Sequence, residues 1–489
     1  MPVTVTFESF DIKNMLFAIM HVTGRIMKKT ILKYLQEKGI PVNAVCGGNH
    51  KCGKCLVKTE RALPLREEER RLLSDEQAER GLRLACMHEY EEGDVIAVQS
   101  DVMKVEDSLK EDNTGYRYRD GYGLITDLGT TTISMKWVDQ RDGTIVHSSS
   151  FMNPQQSFGA DVISRIQAQK EHRNELHQCL IRKLEKEILE AGIAISTMIL
   201  AGNTVMTHLF LNEDVQSLGV YPFDIPLKNM QRLNSSSLFR LPYDFEIITF
   251  PHIGAYVGGD ITAGIYALDL DRTEKPVLFM DLGTNGELAY CSKQEMTASS
   301  TAAGPAFEGS GIRFGGGCIP GAVSKVRLQP FSLQVIDDKE PVCICGSGII
   351  SLCAELVRNH MLAHNGRMKE TVFLSKTISF DQQDMQNVQL AKAAVATGVN
   401  ILCDEKPVSR IIIAGGFGKG IDPEDLRTIG VLPEGIPAQN AGNTSLGGCM
   451  KLLMKEEYER VGQIAEKTRS VDLSLQPDFQ DRLIDHLYF

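Results

Sequence analysis

The chain is 489 residues long, 43% hydrophobic and 24% charged, which is enough apolar material for two or three packed domains rather than one. Its 63 acidic and 52 basic residues give a formal net charge of −11. With no dense Lys/Arg run, neither nucleic acid nor an anionic membrane is an expected partner, and evenly spread apolar residues exclude low-complexity disorder.

The N-terminus, MPVTVTFESF, has neither a basic n-region nor an apolar h-region, so no export signal and a cytoplasmic location are expected. Twelve cysteines in a reducing compartment are then not expected to form disulfides. Thr30 can cap a helix carrying Ile31 and Leu35, which Gly39 and Pro41 end. Glu67–Glu79 reads as one charged helix leading to Arg83-Leu-Ala-Cys86, and Asp94–Val98 as a strand. Residues 101–121 are polar and poor in core formers, a linker with a reach of roughly 25 Å. From Tyr122 onward short apolar strands alternate with helical patterns, the signature of an α/β region. Ala191–Asn212 is uncharged, but Gly202, Asn203, Thr204 and His208 interrupt it. It reads as a buried strand, a turn and a buried helix, not a membrane span.

Four cysteines stand out by spacing: Cys46-x5-Cys52-x2-Cys55, then Cys86. Three thiolates on one glycine-rich loop with a fourth from elsewhere suit a 2Fe–2S cluster with two sulfurs on each iron. Gly47, Gly48 and Gly53 let the backbone curl so that N–H groups point at the sulfurs. A structural zinc site is the competing reading, though it more often shows two C-x2-C knuckles. The loop CGGNHKCGKCLV followed by RLACM resembles ferredoxin domains, with five residues between the first two cysteines where plant-type members have four. Gly48 to Lys54 also matches a phosphate-binding P-loop until Cys55 takes the place of Ser or Thr. No hydroxyl is left for magnesium, so the match is rejected. The other eight cysteines read as small buried hydrophobes.

Asp127-Leu-Gly-Thr-Thr-Thr recurs as Asp281-Leu-Gly-Thr-Asn-Gly, each between two apolar runs. Two such β-hairpins predict two similar lobes facing across a cleft. A Gly-Thr turn offers N–H groups and hydroxyls to a phosphate. Asp127 and Asp281 would hold Mg2+ through waters, and the strand end Ile411–Gly418 would form a shelf for adenosine. Structural hairpins and an ordinary glycine turn are the bland alternative. Taken in order, the three motifs resemble the actin, sugar-kinase and heat-shock-chaperone superfamily. That resemblance implies phosphate or Mg2+ contacts from Asp127, Gly129, Thr130, Thr131, Thr132, Asp281, Gly283, Thr284, Asn285 and Gly286. Gly415, Gly416 and Phe417 would face the adenosine of ATP. Glu308 and Asp161 are candidates for orienting the attacking water, with helix capping or a salt bridge weighed equally. His208 and His252, each alone in an apolar context, read as core imidazoles rather than metal ligands.

A ferredoxin domain joined to an actin-like ATPase resembles the reductive activators of corrinoid proteins. So do Asn153–Arg165, Ala201–His208, Gly258-Gly-Asp260, Gly304–Gly309 and Cys345-Gly-Ser-Gly348. The expected fold is α/β: a β-grasp 2Fe–2S domain over 1–100, a linker over 101–121, and actin-like lobes over 122–275 and 276–489. The resemblance implies a corrinoid protein and an external low-potential electron donor as partners. It leaves a homodimer open, because larger members carry an extra domain where this linker runs almost directly into the first phosphate motif. The implied reaction moves one electron from the cluster to Co(II). A plant-type cluster lies near roughly −400 mV and the cobalt step is expected lower, each ~100 mV of shortfall being about 2.3 kcal/mol. Nucleotide coupling of roughly 1–3 kcal/mol can offset such a gap. Rival readings are a metabolite or acyl kinase with a regulatory cluster, a ferredoxin-like carrier that ignores ATP, and a radical-enzyme activator.

Overall fold

The computed structural model describes residues 16–20, 29–38, 40, 42–44, 46–73, 75–100, 115–283, 285–404, 406–415 and 420–489. Thr30 accepts the Lys33 N–H at 3.2 Å and caps a helix over Ile31–Glu37. Gly39 and Pro41, the expected stop, lie outside the described residues. The helix buries Ile31, Tyr34 and Leu35 in one core with Val57, Leu84, Ile96 and Val98. Those residues belong to a four-stranded sheet ordered Leu16–Met20, Ile96–Ser100, Leu56–Thr59, Arg83–Leu84, antiparallel throughout. One helix held by a small sheet is the ferredoxin-like arrangement expected.

The single charged helix expected over Glu67–Glu79 is instead two short ones, Glu67–Arg70 and Asp75–Glu79. Glu69 turns inward, fully buried. Its carboxylate accepts the N–H groups of Arg66 and Leu84 at 3.0 and 2.7 Å and pairs with His88 Nε2 at 2.9 Å. Leu73 is buried as well, in the core of this domain.

Residues 101–114 of the expected linker lie outside the described residues. Residues 115–121 are mostly exposed yet tethered, Arg117 N–H to the Met454 carbonyl and Arg119 N–H to that of Gln140.

Two six-stranded sheets follow. The first runs Ile145–Met152, Thr132–Asp139, Tyr122–Leu128, Ile195–Gly202, Glu246–Thr249, Arg232–Asn234. The second runs Met296–Thr301, Gly286–Cys291, Val277–Leu282, Arg410–Ala414, Ala438–Gly442, with Thr468–Ser470 beyond Met296–Thr301. Each is an antiparallel meander continued by two parallel strands. This is the duplicated, actin-like unit that the hairpin echo predicts. Between the lobes one core joins Ile125, Ile199 and Ile248 to Phe279, Ile412 and Leu446. Helices Gly259–Ala267 and Thr444–Lys455 cross there. A Cβ at Gly448 would lie 2.4 Å from the Ala263 carbonyl oxygen, so only glycine permits the approach.

The uncharged stretch is a strand over Ile195–Gly202, a capping Asn203 and a fully buried helix over Thr204–Phe210. Among the described residues no helix is long and apolar enough to cross a membrane. His208 donates Nδ1–H to the Thr204 carbonyl at 2.7 Å and accepts the Leu227 N–H on Nε2 at 3.1 Å. It is a satisfied core imidazole. His252 lies tilted against it, ring centres 5.5 Å apart, and burial pulls its pKa down to about 3.

Candidate functional site

The four cysteines come together as two pairs. Cys55 and Cys86 sulfurs lie 3.4 Å apart and buried, while Cys46 and Cys52 are hydrogen-bonded and half-buried. The Cys52 thiol, then the N–H groups of Lys51, Cys52 and Gly48, point at the Cys46 sulfur and pull its pKa down to about 4. Glycine is required in this loop. Gly53 has φ +66°, and a Cβ there would sit 2.8 Å from the Leu72 carbonyl oxygen. Two thiol pairs ringed by amides fit a cluster with two sulfurs per iron.

The two Gly-Thr hairpins have the same build. Each strand passes into the next through three residues, Gly129–Thr131 after Leu128 and residues 283–285 after Leu282. Thr284 lies outside the described residues, as do Gly416 and Phe417. In the first turn all three carbonyls are held from behind. Asn153 Nδ2 donates to Gly129 at 2.9 Å, Arg165 Nη2 to Thr130 at 2.6 Å, and Gln156 Nε2 to Thr131 at 3.2 Å. Thr132 and Gly286 open the returning strands. Gly415, at φ +114°, sits where a Cβ would be 2.3 Å from the Leu282 carbonyl oxygen and 3.1 Å from Asp281 Oδ1. Gly415, at the end of the strand Arg410–Ala414, therefore abuts the second hairpin.

Carboxylates converge between the hairpins. Asp281 is paired across the strands with Glu287. Burial, then Asp260, Asp127 and Glu308, push Asp281 well above the carboxylate range. Burial, then Asp260 and Asp281, do the same to Glu287, and burial raises Asp260 to about 6. Glu308 Oε2 accepts the Thr131 hydroxyl at 2.8 Å, reaching from the second lobe to the first hairpin. Asp161 sits apart in role: it caps the helix Val162–Ala191, accepting the Ser164 N–H at 2.7 Å.

Sequence reasoning missed Asn443 and Ser445, which donate to Asp127 at 2.8 and 3.0 Å. Asn443 also caps Thr444–Lys455. In the opposite direction, Asn203 of the first lobe donates to Glu287 of the second at 3.2 Å. A signal was present: Ala-Gly-Asn-Thr occurs at both 201–204 and 441–444. In the sequence Arg165 is marked only as the end of the motif Asn153–Arg165. It is fully buried, and besides Thr130 it holds the Gly159 carbonyl at 3.0 Å. Arg165→Met leaves two buried carbonyls without their donor, at about 1–3 kcal/mol each. The expected result is a lower melting temperature together with a raised KM for ATP, read by thermal melts and steady-state ATP turnover.

The cysteine loop docks on both lobes. Lys54 Nζ donates to the Gly315 carbonyl at 3.1 Å, in the loop that follows Glu308. Gln36 Nε2 donates to the Ser157 carbonyl, and a Cβ on Gly47 would touch the Phe158 carbonyl oxygen at 3.6 Å. Ser157 and Phe158 belong to the segment whose Asn153 and Gln156 hold the carbonyls of the first turn.

Three family models match in chain order: a 2Fe-2S iron-sulfur cluster binding domain over residues 22–90, the RACo middle region over 122–273, and the C-terminal ASKHA domain of RACo over 275–489. The corrinoid activation enzyme RamQ of Eubacterium limosum is 32% identical over 430 residues, covering 75% of this chain and 70% of that protein. The chain belongs to the reductive activators of corrinoid proteins. A second relative of this activator is the [Co(II) methylated amine-specific corrinoid protein] reductase of Methanosarcina barkeri, 24% identical over 393 residues, with 71% of this chain and 72% of that protein covered. The solved reductive activator for corrinoid, iron-sulfur protein superposes with a TM-score of 0.70 at 26% identity, covering 95% of this chain and 96% of that one.

Proposed function

We propose that this activator uses ATP to drive single electrons onto the Co(II) centre of a corrinoid protein, regenerating Co(I) for methyl transfer, and is recharged by an external low-potential donor. The supporting observation is the docking of the paired-thiol loop on the two segments that frame the first phosphate hairpin. Cys46, Cys52, Cys55 and Cys86 would hold the 2Fe–2S cluster, which supplies a one-electron donor near roughly −400 mV.

Because a peptide plane sends its N–H and C=O to opposite sides, a turn whose carbonyls are tied back by Asn153, Arg165 and Gln156 presents N–H groups to a phosphate. Thr130, Thr131 and Thr132 add hydroxyls, and Gly283 to Gly286 wrap the phosphates from the other lobe. Asp127 and Asp281 would hold Mg2+, and Gly415 to Phe417 would flank the adenosine. Glu308 already grips Thr131, so we assign it the orientation of the attacking water and leave Asp161 as a helix cap. Closing the lobes then moves Ser157 and Gly315 together, and with them Gln36 and Lys54. Nucleotide state is thereby felt at the cysteine loop.

The test mixes the reduced protein with a Co(II) corrinoid protein and follows the cobalt spectrum. Co(I) that forms only when ATP is present supports the reading; identical traces with and without ATP sink it.

The acidic cleft adds a pH signature. Asp260, Asp281 and Glu287 keep protons in the folded chain that the unfolded chain has already released. Without a cation, stability is therefore lost as the pH rises from the ordinary carboxylate range through about 6 and beyond. Mg2+ favours the deprotonated groups, so its stabilising effect grows over the same interval. Thermal melts across pH with and without MgCl2 read this directly; a Mg2+ shift independent of pH contradicts it.

A further inference from the structure

The cysteines outside the cluster loop read as small buried hydrophobes, and Cys291, Cys353 and Cys449 are buried as such. Cys318 and Cys345 behave differently. Their thiols are hydrogen-bonded to each other across two segments, walled by Ala322, Ile319 and Ile336. Cys345 is the N-cap of the 13-residue helix Gly346–Arg358, with its sulfur 3.4 Å from Ser347 Oγ. Cys318 is half-buried and ends the glycine-rich loop that carries Gly315, the acceptor of Lys54. Cys343 packs beside them, but its sulfur turns to the Gly317 carbonyl at 3.9 Å.

We propose that Cys318 and Cys345 form a reversible disulfide by exchange with a low-molecular-weight disulfide, locking the loop after Glu308 onto the start of the Gly346–Arg358 helix. In the exchange, Cys318, the half-buried member of the pair, first gives up its proton to solvent, and its thiolate attacks one sulfur of the external disulfide and releases one thiol. Cys345 then displaces the second thiol from Cys318 and closes the internal bond. Two protein thiols are oxidised, one external disulfide is reduced to two thiols, and the two protons pass to the departing thiolates. Cys345 suits the second attack. With Cys318 bonded to the external sulfur, the Ser347 hydroxyl and the N–H groups of Gly348 and Ser347 still point at the Cys345 sulfur and pull its thiol down.

The bond spans two sensitive points. The Cys318 loop carries Glu308 at its start and the Lys54 contact in its middle. Ser347 Oγ lies 3.3 Å from where a Cβ on Gly420 would stand, just past the adenosine turn. Fixing this loop is expected to slow ATP turnover roughly tenfold, within the range that coupled sites span.

The test incubates the cluster-loaded full chain anaerobically with cystamine, alkylates the remaining thiols, and maps peptides by mass. The expected product is a Cys318–Cys345 linkage lighter by two hydrogens, with Cys343 alkylated and turnover restored by dithiothreitol. Cys318→Ser should give neither the linkage nor the slowing. A linkage through Cys343, three alkylated thiols, a bond that leaves turnover unchanged, or a stoichiometric zinc ion on these sulfurs each overturns the proposal. The peptide map does not depend on the reading of the cleft: a parent protein with no ATP turnover at all defeats that reading instead.

Discussion

Cys55→Ser is expected to return ATP-dependent Co(I) formation to the level of a protein-free control while ATP turnover persists. Cys55 is buried and its sulfur lies 3.4 Å from that of Cys86. In the proposed ligation, removing it would take one of the two sulfurs from an iron, and a hydroxyl is a poor replacement for a thiolate. The domain around it has its own core, with Ile31, Leu35, Val57, Leu84 and Ile96 buried together, and the nucleotide cleft is built from residues of the other two lobes. Loss of the cluster absorbance alongside normal ATP turnover is the expected pair of readings. Co(I) formation at the parent rate in Cys55→Ser would falsify the assignment of these cysteines as the electron source.

Asp281→Asn is expected to act in two opposite directions. Its carboxyl is pushed well above the usual range by burial and by Asp260, Asp127 and Glu308. Neutralising it removes a like-charge neighbour and should raise the melting temperature of the nucleotide-free protein, most above pH 6. The same change removes charge that would hold Mg2+ against the phosphates, so ATP turnover should fall by about 10²- to 10³-fold. A function that uses a crowded acidic cleft accepts lower stability in its empty state. Asp161→Asn supplies the contrast. Asparagine caps a helix about as well as aspartate, so stability and turnover should both stay near those of the parent. A collapse of turnover in that variant would instead make Asp161 the residue that orients water. Calorimetric melts and a phosphate-release assay separate these outcomes.

Gly39 and Pro41 aside, most local elements were legible because their causes lie within a few residues. Thr30 caps its helix through a side chain three positions from the N–H it accepts. The hairpins at Asp127 and Asp281 announce themselves by Gly-Thr turns between apolar runs. The break between Glu67–Arg70 and Asp75–Glu79 was not legible, since it depends on Leu84 and His88 drawing Glu69 inward. The eight remaining cysteines looked alike in sequence, and only the fold set Cys318 against Cys345.

The amino-acid order alone determined the α/β class, the duplication of the lobes, the spacing of the four cysteines and the order of the three glycine-containing motifs. Each of these is written in periodicity, turn chemistry or ligand spacing over short stretches of chain. Tertiary structure alone decided that Asn443 and Ser445 reach Asp127, that Asn203 reaches Glu287, and that Lys54 and Gln36 bring the cysteine loop onto both lobes. Those contacts join residues far apart in sequence, and the two lobes are held together where the Gly259–Ala267 and Thr444–Lys455 helices cross at Gly448, a meeting of surfaces that no local pattern encodes.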